Sequence, residues 1–168
     1  MSLLRSVKRW LERAAWAAPS PEVIERTRTL IADYFDAVSA AVALLEAHFG
    51  PSSPAELLRG VRAGRIPTNG TLAGAHYAFH GAGCRVSLAR GQSPFRGVAS
   101  GDFVVDFELI PFGRFDAERL AEFDASKHGA PNALAALSDD GALERSLAWL
   151  AREKTLTDHG GGFYSLRR

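Results

Sequence analysis

Three stretches decide the fold: AHYAFH at residues 75–80, CRVSLA at 84–89 and DFVVDFELI at 102–110. Their aromatic and β-branched residues favour strands, and each is bounded by glycine-containing turns. Gly81-Ala82-Gly83 separates the first two, and a longer loop from Arg90 to Gly101 precedes the third. Together they read as an antiparallel meander. In the third strand Phe103, Val105, Phe107 and Leu109 alternate with polar residues, so they are expected to face a core while Asp106 and Glu108 point away.

Towards the N-terminus the chain changes to helical signals. Ser20-Pro21-Glu22 supplies a capping hydroxyl, a proline at the first helical position and an acid near the positive end of the dipole. The helix is expected to run from about residue 21 to 49. Ile24, Ile31, Val38 and Leu45 recur every seven residues, with Phe35, Val42 and Phe49 beside them, and Gly50-Pro51 ends the helix. Such a stripe needs a partner, either the rest of the chain or a second copy in a homodimer. A short helix from Ser53-Pro54 to about Arg62 follows, and Pro67, Asn69 and Gly70 mark a turn. Beyond the meander, Asp116 opens a helix with Leu120 and Phe123. Residues 131–137 suggest another, Ser138-Asp139-Asp140 starts one that reaches about Lys154, and GGFYSLRR is a final strand.

The first 18 residues, MSLLRSVKRWLERAAWAA, carry charges throughout, which leaves no apolar signal-peptide core and predicts a cytoplasmic protein. They form an amphipathic pattern suited to packing on a neighbouring helix. No segment approaches the ~20 apolar residues of a membrane span. The expected architecture is α+β: long N-terminal helices, an antiparallel meander of three to four strands, and helices covering one face. Residues 1–50 form the helical region and 51–168 the α+β domain, expected to make one compact unit.

Composition removes several classes of function. Across 168 residues there are 20 basic and 19 acidic side chains, giving a formal charge of +1, and one cysteine. The lone cysteine excludes an internal disulfide and a multi-cysteine zinc site. The charge balance argues against a protein that neutralises many phosphates, unless its charge is segregated. It is segregated along the chain. Residues 59–96 hold six arginines and no acid, whereas 102–124 hold seven acids and two arginines.

The candidate site lies in the meander. His76, His80 and Cys84 are four apart, but the local glycines and aromatics disfavour the helix that would gather them around a metal, and no metal site is expected. If Gly81, Ala82 and Gly83 form the turn, His80 and Cys84 face each other with Cβ atoms about 5 Å apart. Such a pair can form a thiolate and imidazolium, or be an ordinary core contact. Asp106 and Glu108 can assist acid–base chemistry or bind a cation, while Arg85 on the neighbouring strand offers a plain cross-strand ion pair. Asp116 can cap its helix and pair with Arg119, three residues on, and Arg119 can reach back to Asp106.

The strings Gly64-Arg65-Ile66-Pro67, Phe79-His80-Gly81-x-Gly83-Cys84, Val105-Asp106-Phe107 and Phe115-Asp116-Ala117-x-Arg119-Leu120 carry a resemblance. The chain resembles, over roughly residues 55–125, a family of small bacterial proteins known only as a domain of unknown function. It departs from that pattern at Glu118, where the family has a tryptophan. The resemblance implies a fold grouping and a bacterial origin, and no catalytic residues. Arginine outnumbering lysine 17 to 3 also suits a GC-rich bacterial gene.

Three functions compete on these observations. The first is a protein-binding module, such as an immunity or antitoxin-like partner of a bacterial effector, with Arg85, Asp106, Glu108, Asp116 and Arg119 as binding residues. The second is a small hydrolase or transferase using Cys84 and His80, helped by Asp106 or Glu108. The third is nucleic-acid binding through the arginines of 59–96, or through a winged-helix rhythm with TDHGGG as the wing. No cofactor is expected.

Overall fold

A computed structural model of the chain describes residues 18–88, 103–128 and 141–167. The helices expected before residue 18 and at 131–137, and the loop at 90–101, lie outside the described residues. Within them the chain is α+β, with four helices, a four-stranded antiparallel sheet and a separate two-stranded one.

Helix α1 (Pro21–Phe49) begins as its sequence demands. The Ser20 hydroxyl accepts the Val23 N–H at 3.3 Å, Pro21 opens the first turn, and Gly50 at φ +90° closes the helix by donating its N–H to the Glu46 carbonyl. Its apolar stripe turns inward: Ile31, Tyr34, Val38 and Leu45 are buried. Helix α2 (Pro54–Arg62) starts on a reciprocal cap, with Ser53 accepting the Glu56 N–H and the Glu56 carboxylate reaching back to Ser52.

The main sheet runs β1 (Asn69–Leu72), β2 (Ala75–His80), β3 (Gly83–Leu88) and β4 (Phe103–Glu108), paired in chain order. The turn expected around Asn69-Gly70 is instead strand β1. The reversal falls at Ala73 (φ 45°) and Gly74 (φ 86°), a two-residue loop that pairs Leu72 with Ala75. The fourth strand of this sheet is therefore β1, while the C-terminal strand belongs elsewhere.

The second hairpin also has a two-residue loop. Gly81 takes φ +55° and Ala82 completes the turn, so His80 pairs with Gly83 and Phe79 with Cys84. The expected three-residue turn, which would have set His80 opposite Cys84, is off by one. Strand alternation explains the outcome. In the observed register Ala75, Tyr77 and Phe79 meet Leu88, Val86 and Cys84, all on the inner face. Pairing His80 with Cys84 would have set Tyr77 against Ser87 and Phe79 against Arg85, placing polar groups in the core.

Strand β4 has its inner face buried through Phe103, Val105 and Phe107, as its alternation predicts. Its outer edge is closed by groups that accept no further strand. The Ser126 hydroxyl donates to the Val104 carbonyl at 2.9 Å, the Tyr34 hydroxyl to Asp106 at 2.7 Å, and the Gly113 N–H to Glu108 at 3.4 Å. Helix α3 (Ala117–His128) supplies Ser126 and lies against β4, while α1 packs on β4, α3 and α4 (Ala142–Arg152). Tyr34 sits at the centre, fully buried, with edge-to-face contacts to Phe35, Phe115 and Phe123.

The chain ends in a hairpin of β5 (Leu156–Gly160) and β6 (Phe163–Leu166). The stretch TDHGGG read as a wing is the end of β5 and its turn, with Gly160, Gly161 and Gly162 all at positive φ. Two backbone hydrogen bonds between Phe115 and Tyr164, each 2.8 Å, tie this hairpin to the segment before α3. Among the described residues no helix is long and apolar enough to cross a membrane.

Candidate functional site

The outer face of the sheet collects most of the singled-out residues. Side chains that alternate away from the core are His76, Ala78 and His80 on β2, Arg85 and Ser87 on β3, and Asp106 and Glu108 on β4. His80 Nε2 lies 2.9 Å from Asp106 Oδ1, two strands away. Gly83 makes this reach feasible. A Cβ at position 83 would stand 3.0 Å from the His80 ring and 2.8 Å from the Phe107 carbonyl oxygen, so only glycine lets the imidazole lie across β3.

From Asp106 the polar row continues. Arg85 approaches Asp106 Oδ2 at 3.5 Å and donates to Glu122 Oε1 of α3 at 2.6 Å. A second group forms around Glu108, whose Oε1 is 3.1 Å from Arg119 and 3.5 Å from Arg114. The Arg114 guanidinium also lies 4.4 Å from the centre of the Phe163 ring, joining the C-terminal hairpin to the site. Asp116 caps α3 by accepting the Arg119 N–H at 2.9 Å. Arg119 thus ties helix to sheet as anticipated, but through Glu108 rather than Asp106.

Cys84 takes no part in this surface. It faces inward, is completely buried, and burial pushes its thiol up to about 12. His80 is on the other side of the sheet with 48% of its side chain exposed. Of the two readings left open for His80 and Cys84, the thiolate–imidazolium pair is therefore not assembled, and a neutral, enclosed thiol is a poor nucleophile. Glu122, Arg114 and the spacing role of Gly83 had not been singled out from the sequence. Only the three-residue step between Arg119 and Glu122 hinted that they share a helix face. Among the described residues no group of three or more histidine, cysteine, aspartate or glutamate side chains could hold a metal ion.

The chain's charge segregation is folded into this site. Arg85, from the arginine-only segment, is paired with two acids from the acidic one. Arg90 and Arg96 lie outside the described residues.

The family profile of a domain of unknown function, DUF6896, matches residues 27–166. The chain belongs to this family. The DUF6896 match begins inside α1 and ends at the last residue of β6, so it takes in the long helix and the C-terminal hairpin as well as the 55–125 region. No curated protein and no solved structure matches this DUF6896 chain.

Proposed function

We propose that this chain is a protein-binding module, an immunity or antitoxin-like partner of a bacterial effector, and that it docks through the outer face of β2–β4 and the adjoining edge of α3. The observation that carries the reading is the polar row His80–Asp106–Arg85–Glu122 beside Arg114–Glu108–Arg119 on one open face. The Arg85–Glu122 pair is open to solvent, where an ion pair contributes about 0–1 kcal/mol to folding, while Asp106, Glu108 and Arg119 are largely covered and hold the exposed groups in place. A pattern of both signs on one face suits selection of a complementary protein surface. Co-expression with the product of the adjacent gene tests the idea. Stoichiometric co-purification that is lost on Arg85→Glu supports it, and no complex with that product counts against it.

One contact favours a second reading. Asp106 holds the His80 imidazole as an orienting carboxylate holds a general base, which keeps open a hydrolase or transferase that works without Cys84. Turnover of an ester, phosphoester or amide that disappears in His80→Ala would support it; a parent protein inactive on all three classes would remove it.

A further inference from the structure

Where α1 hands over to α2, the chain forms an open recess of about 350 Å³ that shares no residue with the outer sheet face. Gly50 at φ +90° turns the chain after Phe49, and beyond α2 the Arg65 and Ile66 N–H groups both return to the Gly60 carbonyl, at 2.9 and 3.1 Å. This double return folds Ile66 onto Gly60, where a Cβ would come within 2.7 Å of the isoleucine side chain. The result is a recess with an apolar wall of Phe49, Pro51 and Ile66 and with Arg59 and Arg65 beside it. The Phe49 ring is held edge-on against Tyr77 at 5.5 Å, so the wall is anchored to the sheet.

The charges are arranged unequally. Glu56 is the one acid of the lining, and its Oε2 is already occupied by the Ser52 N–H at 2.9 Å and the Ser52 hydroxyl at 3.0 Å. Neither Arg59 nor Arg65 makes an ion pair among the described residues, in contrast to Arg85, Arg114 and Arg119. The two Ser52 hydrogen bonds, and after them Arg59, hold the Glu56 carboxyl below its ordinary range, whereas Arg65 has no acid beside it in the lining. Two guanidinium groups beside an apolar wall, outnumbering the single acid, fit a ligand with a planar or tetrahedral anionic end and a hydrophobic body. The volume lies within the range of small-molecule sites.

We infer that this recess is a binding site for a small organic anion, a carboxylate or phosphate carried on an aromatic or branched apolar body. Arg59 and Arg65 take the anionic end, and Phe49, Pro51 and Ile66 take the body. Titration of the isotope-labelled full chain with phenyl phosphate, inorganic phosphate and benzyl alcohol, followed by amide chemical shifts, tests it. Phenyl phosphate is expected to give saturable shifts at Phe49, Gly60, Arg65 and Ile66, with at least tenfold weaker binding of inorganic phosphate and none of benzyl alcohol. The double variant Arg59→Ala/Arg65→Ala, both exposed positions, should lose affinity at least tenfold with an unchanged thermal midpoint. Equal binding of phenyl phosphate and inorganic phosphate would overturn the organic-anion assignment. Equal binding by the double variant, or no saturable shift, would overturn the site.

Discussion

Cys84 and Gly83 are neighbours in sequence with opposite tasks. Cys84 points into the core, where burial holds its thiol protonated up to about 12 against an ordinary value of 9.0. The folded chain therefore keeps a proton that the unfolded chain loses first as pH rises. That contribution to stability is complete below about pH 9 and is lost as the pH climbs towards 12. Urea midpoints should accordingly fall above pH 9, and fall less steeply in Cys84→Ala; parallel profiles would contradict this assignment. Native protein at neutral pH should resist thiol reagents that label it once denatured. Gly83 has the opposite constraint, since its bare Cα leaves room for the His80 ring and the Phe107 carbonyl. Gly83→Ala should cost about 1–3 kcal/mol by overpacking and displace the imidazole from Asp106. Denaturant titration together with the His80 ring signals measures both effects, and a variant as stable as the parent would show that the ring does not lie there.

At the level of elements, legibility in the sequence followed the strength of local signals. Helix α1 was readable to its ends because serine, proline and glycine each satisfy a specific orphaned backbone group there. Strand β1 was not, because Asn69-Gly70-Thr71-Leu72 is too short to show alternation and its turn places an alanine at positive φ. The β2–β3 register lay between these cases. The Gly-Ala-Gly string allows a two- or three-residue turn, and only pairing the apolar faces of both strands selects the shorter one. That single step separates a facing Cys84–His80 pair into a core thiol and a surface imidazole. The cross-strand neighbourhood of Arg85 and the β4 acids is legible from alternation, but its register, Arg85 opposite Asp106, is not, because a dozen loop residues separate the two strands. The closure of the β4 edge by Tyr34 was invisible from sequence, since residues 34 and 106 meet only in the folded chain. Tyr34→Phe leaves the half-buried Asp106 carbonyl without this donor and should cost about 1–3 kcal/mol. A loss below about 0.5 kcal/mol in equilibrium unfolding would mean that the carbonyl finds another partner.

Across the whole molecule, one core joins α1, the inner face of the sheet, α3, α4 and Leu156 of the C-terminal hairpin. Its consequence is that the opposite face of the sheet is free to carry charge. The near-zero net charge of the chain conceals an ordered pattern, in which acids and arginines from adjacent segments meet across β3, β4 and α3. Nothing in that pattern needs the cysteine. If partner binding belongs to the outer face and the inner face serves folding, calorimetric titration of the adjacent gene's product into three proteins separates the two. The parent and Cys84→Ala should bind with equal affinity, and Arg85→Glu at least tenfold more weakly. Binding that survives Arg85→Glu but fails in a folded Cys84→Ala would contradict the account.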